Sequence, residues 1–420
     1  MDLLRRLWRR DELGRLDACT ALDVGTEFAK ALVFAVDEAG HGEVRGVGRQ
    51  RQGLSHMQSG TVADIAAVVD NCAVALQAAE EMAGFRPTQV VIGIAGELVK
   101  GFTTVRSQER KRPEQPIGEA ELSRLIETIQ QEAQRTAEKA ITWETGLPTV
   151  DVRLVHAAVT GATVDGYPVT SPIGFQGRHL QVGIFDAYAP LVHLGALQSV
   201  AAQLDLDLLA VVAEPYAVAR CLGGVGVQQS GGLFVDVGGG TTDVALVRGG
   251  GIEATRMFAL GGRAFTRSIA DGLELPFARA EALKIDVARG LDVAERARVE
   301  AIVAEDVAVW SAGVELVLEE LSGEELLPNR IFLCGGGAGL PQIPAALGDA
   351  RFADRLPFGR PPEVRVLAPD QVESIGDVTG LLVDQQDVTP LALAYQAIEL
   401  HAEEAPLDAT LRRVLRAMKV

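Results

Sequence analysis

One short pattern occurs twice in this chain, and it constrains the fold more than any other feature. Ala21-Leu22-Asp23-Val24-Gly25-Thr26 near the start is echoed in the second half by Val235-Asp236-Val237-Gly238-Gly239-Gly240-Thr241-Thr242. In each copy an apolar run with strand patterning ends at aspartate, turns on glycine and a hydroxyl residue, and resumes as a strand. Such a turn aims backbone N–H groups into a concavity where they can cradle phosphate oxygens. Glycine lets the backbone approach closely, and the aspartate ending the strand can hold hydrated magnesium directly or through water. A single turn of this kind is an ordinary hairpin. Two, each opening its own half, predict two similar α/β domains with a phosphate turn apiece.

Further features point the same way. Lys30 lies four residues after Thr26, where it can reach back to a phosphate or stand as a solvated surface lysine. Late in the chain, Cys334-Gly335-Gly336-Gly337-Ala338-Gly339-Leu340-Pro341 follows the apolar strand Ile331-Phe332-Leu333. Small residues there let a flat ligand lie against backbone, although alone the run would be a flexible turn. No GxxxxGK[ST] occurs, so a P-loop NTPase is not supported.

Composition bounds the rest. A chain of 420 residues is too long for one ordinary core, which favours two domains. The net charge of −18 disfavours a nucleic-acid binder, because phosphate backbones need a basic face. The four cysteines are scattered with no CxxC, which reads as a reduced, cytoplasmic protein without a zinc site. No apolar run has the roughly 20 residues of a membrane span. The two ends are different. As helices they gather Leu3, Leu4, Leu7 and Trp8, or Leu407, Leu411, Val414, Leu415 and Met418, on one face, with arginines opposite. Basic amphipathic ends suit in-plane binding to anionic lipid. Two alternatives remain open: the stripe packs on its own domain, or it lies in a partner's groove.

The expected organisation follows from these patterns. A basic amphipathic segment (1–17) precedes a first domain in two parts (18–98 and 179–231), interrupted by a module of different texture (99–178). The second domain has a part around the second turn (232–262), a helical outer subdomain (263–327) and a part carrying the late glycine loop (328–386). A closing helix (387–404) returns to the first domain, and the basic amphipathic helix (405–420) ends the chain. A glycine-rich joint at 223–232 separates the halves.

Together these motifs resemble the actin-like ATPase superfamily over nearly the whole chain. Its first phosphate motif fits Asp23 to Lys30, its second fits Asp236 to Asp243, and its adenosine motif fits Gly335 to Pro341. The connecting segments fit Ala213-Glu214-Pro215-Tyr216-Ala217 and Thr389-Pro390-Leu391-Ala392-Leu393-Ala394. Leu260-Gly261-Gly262-Arg263-Ala264-Phe265-Thr266, then Ala280-Glu281-Ala282-Leu283-Lys284, look like the FtsA and PilM branch. The exit from the inserted module, Pro172 to Leu180, resembles the corresponding stretch of FtsA.

The resemblance implies ATP and Mg2+ between the two domains. Asp23 and Asp236 would attend the metal. Gly25, Thr26, Lys30, Gly238, Gly239, Gly240, Thr241 and Thr242 would surround the phosphates. Gly261, Gly262, Glu281, Lys284, Gly335, Gly336, Gly337 and Ala338 would surround the nucleoside, with Glu214 orienting water in slow, regulatory hydrolysis. As alternatives, Glu214 is a helix N-terminal acid favoured by the dipole, and Glu281–Lys284 an ordinary surface pair. The implied role is a filament-forming division protein on the inner face of the cell membrane, joining anionic lipid to the tubulin-like FtsZ and to later division proteins. A PilM-like platform for pilus assembly is the nearest alternative. An actin-fold kinase would need a further acidic base beside a polar pocket, which does not stand out here.

Overall fold

The repeat visible in the two turns extends to entire sheets in the computed structural model, which describes residues 17–147, 149–222, 231–401 and 406–418. The expected N-terminal segment and residues 223–230 of the glycine-rich joint lie outside the described residues.

The first half begins with strands β1 (Ala18–Val24), β2 (Phe28–Val36) and β3 (Gly42–Arg51), then a small hairpin of β4 (Met57–Gln58) and β5 (Thr61–Val62). Helix α1 (Ile65–Ala83) leads to β6 (Gln89–Ile94). Next come β7 (Lys100–Glu109), α2 (Glu119–Thr145), β8 (Val152–Val164), β9 (Tyr167–Pro168) and β10 (His179–Pro190). Helix α3 (Leu191–Gln203), β11 (Asp207–Ala213) and α4 (Glu214–Arg220) complete this half. The second half opens with β12 (Gly232–Val237), β13 (Thr242–Arg248) and β14 (Gly251–Phe258). Helices α5 (Gly262–Leu273), α6 (Phe277–Ala288) and α7 (Arg296–Ser322) follow, then β15 (Arg330–Cys334). Short helices α8 (Gln342–Leu347) and α9 (Ala350–Asp354) precede β16 (Glu363–Val366) and β17 (Ile375–Asp377). Helices α10 (Val388–Glu399) and α11 (Pro406–Met418) end the described chain.

Strand order in the first sheet is β11-β6-β1-β2-β3, and in the second β16-β15-β12-β13-β14. The pairings match as well. A three-stranded antiparallel meander is extended on one side by two parallel strands in both halves. The free edge of each meander is covered from the other half of the chain. Strand β17 pairs with β3, and β7 pairs with β14 through Ala254–Phe102 and Thr255–Gly101. Such exchange removes two exposed edges and ties the halves together. The chain therefore has the actin-like α/β architecture of two similar domains facing a cleft.

Local sequence explains the helices. Helix α1 starts where Asp64 Oδ1 accepts from the Ala67 N–H at 3.1 Å, and it stops at Gly84, whose φ of 79° suits glycine. The apolar spacing alone places its start at Thr61, but Thr61–Val62 is a strand paired with Met57–Gln58. Helix α2 buries Leu122, Leu125, Ile126, Ile129, Ala133, Ala137 and Ile141 on one stripe and runs to Thr145 before Gly146 ends it. That stripe packs on the sheet of the inserted module. Strand β10 pairs with both β7 and β8; Leu180, Val182 and Ile184 pack in the module's cluster, while Phe185, Ala187 and Ala189 pack in the core of the first domain.

Helix α11 also belongs to this module. Leu407, Leu411, Val414 and Leu415 are buried in the same apolar cluster as α2, β8 and β10. Arg413 reaches Glu119 at 2.7 Å, and the Val159 N–H donates to Asp408 at 3.4 Å. Of the readings open for this end, the structure takes packing on its own domain. Among the described residues no helix is long and apolar enough to cross a membrane.

This burial sets an expected cost. Leu411→Ala should lower unfolding free energy by about 2–4 kcal/mol in urea titrations. Arg413→Ala, which breaks only an exposed ion pair, should cost under about 1 kcal/mol.

Candidate functional site

The two turns face each other where the halves meet. In the first, the Gly25 N–H donates to the Phe28 carbonyl at 3.1 Å, closing the β1–β2 hairpin. In the second, the Gly238 N–H donates to the Thr241 carbonyl at 2.9 Å. Antiparallel register sets Asp23 opposite Lys30 and, in the matching place, Asp236 opposite Asp243. The duplicated hairpin thus carries a lysine in one copy and a carboxylate in the other. Lys30 Nζ bonds Asp23 Oδ2 at 3.2 Å and the Gln386 carbonyl at 2.7 Å. The turns touch: a Cβ on Gly239 would lie 2.8 Å from that of Glu27, so glycine is needed for the approach.

The other walls come from the second half. Helix α5 begins against the second turn, with the Gly262 and Arg263 N–H groups donating to the Gly238 and Gly239 carbonyls at 2.9 and 2.7 Å. Lys284 Nζ bonds Glu281 at 2.8 Å, the Gly262 carbonyl at 2.9 Å and Thr266 Oγ1 at 2.8 Å. This buried network ties α6 to the start of α5. Opposite it, Gly335 leaves β15 with φ 82° and starts the single 3₁₀ turn Gly336–Gly339. A side chain at Gly335 would strike Asp236 and the Val237 backbone. The cleft between them has a volume of about 340 Å³, and these three segments line it.

Carboxylates dominate its floor. Burial pushes Glu214 well up, and the charges of Asp23, Asp243 and Asp236 add to the shift. Burial likewise raises Asp243 and Asp236, against the hydrogen bond that Thr389 Oγ1 donates to Asp236. Asp243 Oδ1 is buried with no hydrogen-bond partner. Among the described residues no three side chains of ligand type converge on a point fit for an ion. That suits magnesium, which keeps several waters and takes one or two carboxylates plus phosphate oxygens. The available carboxylates are Asp23, Asp236 and Asp243.

Comparison with known proteins agrees with this geometry. A family model described as "Cell division protein FtsA" matches residues 233–380. FtsA of Pseudomonas aeruginosa is 27% identical over 277 residues, which is 64% of this chain and 61% of that protein. FtsA of Streptococcus pneumoniae is 25% identical over 397 residues, covering 87% and 80%. A solved structure of a "PilM-PilN type IV pilus biogenesis complex" superimposes with TM-score 0.63 at 18% identity, over 92% of this chain and 99% of that one. The chain has the actin-like fold and is similar in sequence to FtsA.

The expected site residues divide into two groups. Asp23, Gly25, Thr26, Lys30, Glu214, Asp236, Gly238, Gly239 and Thr241 line the cavity around the turns. Gly262, Glu281, Lys284, Gly335, Gly336 and Gly337 line it further out. Gly240, Gly261, Thr242 and Ala338 stand behind this wall. For Thr242 the reason is explicit: its hydroxyl donates to the Leu260 carbonyl at 2.7 Å and accepts from Trp310 Nε1 at 2.9 Å, facing the core of the second domain.

Sequence reasoning missed several lining residues. Asp243 was detectable, since it stands seven residues after Asp236 as Lys30 does after Asp23. Ile285, Ala288 and Arg289 follow from continuing the helical spacing beyond Glu281 and Lys284. Glu27 and Arg263 gave no signal, because what joins them is a contact between distant parts of the chain.

The raised carboxyl of Glu214 has a consequence for stability. Its folded value lies above its unfolded one, so the folded protein holds the extra proton and loses stability as pH rises through the interval between them. Without nucleotide or metal, Glu214→Gln should exceed the wild type by about 1–3 kcal/mol at pH 8, with the gap closing near pH 4. Urea unfolding across that pH range measures it.

Proposed function

We propose that this chain is an FtsA-like cell-division protein that binds ATP with magnesium in its interdomain cleft, polymerises, and joins FtsZ filaments to the inner face of the cell membrane. The observation carrying this reading is the pair of opposed turns lining a 340 Å³ cleft, the second of which, with α5, α6 and the late glycine turn, lies in the stretch that matches the FtsA family model. The amides of the turns and Lys30 would hold the phosphates, Glu281 and Lys284 would flank the ribose, and the glycine turn after β15 would carry the base. Magnesium, attended by Asp23 and Asp236, supplies charge neutralisation of the phosphates. Glu214, at the N-terminus of α4, would orient water; slow hydrolysis then serves to reset the protomer. Head-to-tail stacking gives open filaments, and a filament makes weak lipid contacts multivalent.

The buried stripe of α11 shapes the membrane part of this reading. With that face committed, α11 offers lipid its exposed arginines, Arg413 and Arg416. Insertion falls to the basic amphipathic residues 1–10. A PilM-like pilus platform is the second reading, favoured by the superposition on the PilM–PilN complex.

Co-sedimentation tests these readings. The protein is pelleted with vesicles rich in phosphatidylglycerol, with and without ATP–magnesium and FtsZ. Variants lacking residues 1–10 or carrying Arg413→Glu with Arg416→Glu run alongside. Lipid binding strengthened by nucleotide, recruitment of FtsZ, and about a tenfold loss on deleting residues 1–10 are expected. Indifference to lipid and FtsZ overturns the tether, and tight binding of an inner-membrane pilus peptide would then favour the platform.

A further inference from the structure

We propose that Arg263 and Glu27 form a latch between the two halves that slows the escape of bound nucleotide. This rests on the nucleotide reading of the cleft and adds to it a determinant of residence time. Glu27 directly follows Thr26 of the first turn, and Arg263 is the second residue of α5, whose first amides hold the second turn. Arg263 Nε meets Glu27 Oε2 at 2.7 Å; its Nη1 and Nη2 reach the Leu54 and Gln52 carbonyls at 3.5 and 3.3 Å. One guanidinium from the second half therefore engages three acceptors in the first. The pair is largely withdrawn from water, with side chains 10% and 15% exposed.

Its acceptors are themselves anchored. Arg51 pairs with the other oxygen of Glu27, the Gln52 N–H donates to the Glu27 carbonyl at 2.8 Å, and Gln52 Oε1 accepts from Asn71 of α1 at 2.7 Å. A fork so filled is geometrically selective, and charge-assisted bonds shielded from solvent are stronger than neutral ones.

The position gives the latch its role. Both side chains line the cavity, at the seam where the two turns touch. On another side, the halves meet through the Thr389–Asp236 bond and the helices α4 and α10, all built into buried core. Separating the halves there disrupts packing. At the latch it requires only the parting of side chains. A nucleotide gripped by both turns loses one set of contacts when they separate, so a latch that resists separation slows its escape.

The test uses the full chain and Arg263→Gln, Glu27→Gln, the double variant and Arg263→Lys. Each is loaded with N-methylanthraniloyl-ATP and magnesium, then chased with excess ATP in a stopped-flow instrument. The off-rate should rise about tenfold in either Gln variant, equal to about 1.4 kcal/mol of lost coupling. The double variant should be no faster than the singles, and Arg263→Lys should fall between. In parallel, hydrogen exchange on the nucleotide-free protein should quicken at Gly25–Glu27 and Gly238–Thr241 in Arg263→Gln. Off-rates and exchange that match the wild type, or single effects that multiply in the double variant, overturn the latch. A thermal-melt shift without an off-rate change overturns it also. Should the wild type bind no nucleotide, the reading of the cleft fails, while the exchange arm still decides whether the side chains hold the turns together.

Discussion

A surplus of buried negative charge is the constraint around which this structure is arranged. Asp23, Glu214, Asp236 and Asp243 share one cavity, and Lys30 is the cation bonded to this group. Burying like charges together is costly, and a protein avoids the cost by neutralising them. Two devices do so here. Burial raises the carboxyls of Glu214, Asp236 and Asp243, which favours their neutral forms, and Lys30 pairs with Asp23. Both are provisional, since a divalent cation with polyphosphate would take over the same role. The duplicated hairpin makes the arrangement possible: the same register that gives Asp23 a lysine gives Asp236 a second carboxylate. In the nucleotide reading, the lysine of the first copy would suit phosphate and the paired carboxylates of the second a hydrated cation.

The chain connectivity holds this cluster in place. Each meander ends in a free edge, and each edge is closed by a strand from the opposite half, β17 on β3 and β7 on β14. Helix α10, buried along nearly its whole length, presents Thr389 to Asp236, and the turn just before it gives the Gln386 carbonyl to Lys30. The carboxylates are thus fixed by elements that cannot move independently. The latch formed by Arg263 is of another kind, since it joins surfaces without joining cores. A cleft stiff at one side and held by side chains at another can open in one direction, which a ligand can then bias.

Much of this was legible in the sequence, for a physical reason. The turns, the glycine run after β15 and the Glu281–Lys284 pair are local patterns, and local patterns survive in a linear reading. The matching sheet orders follow from the two halves sharing their turns. The direction of the Thr242 hydroxyl was not legible, because such a residue looks the same in sequence whether it faces the cleft or, as here, Trp310. The pairing of β10 with β7 and β8 was not legible, because β10 has ordinary strand patterning and its partners are set by tertiary structure. Arg263 and Glu27 could not be paired at all, being brought together by tertiary structure alone.

Helix α11 shows where amphipathicity stops being informative. An apolar stripe opposite arginines satisfies a lipid surface and a protein core equally well, because both remove the same side chains from water. What separates the two is the surface waiting for the stripe. The inserted module offers one, formed by α2, β8 and β10, and Arg413 and Asp408 fix the seating through Glu119 and the Val159 amide. Releasing the helix would expose its own stripe and the matching face of the module together. Lipid can cover the first but not the second, so membrane attachment through the buried face is disfavoured by about the burial energy of the module's face. The exposed arginines carry no such penalty. Attraction of the docked helix to anionic headgroups, in the membrane reading proposed here, would keep the module's core intact.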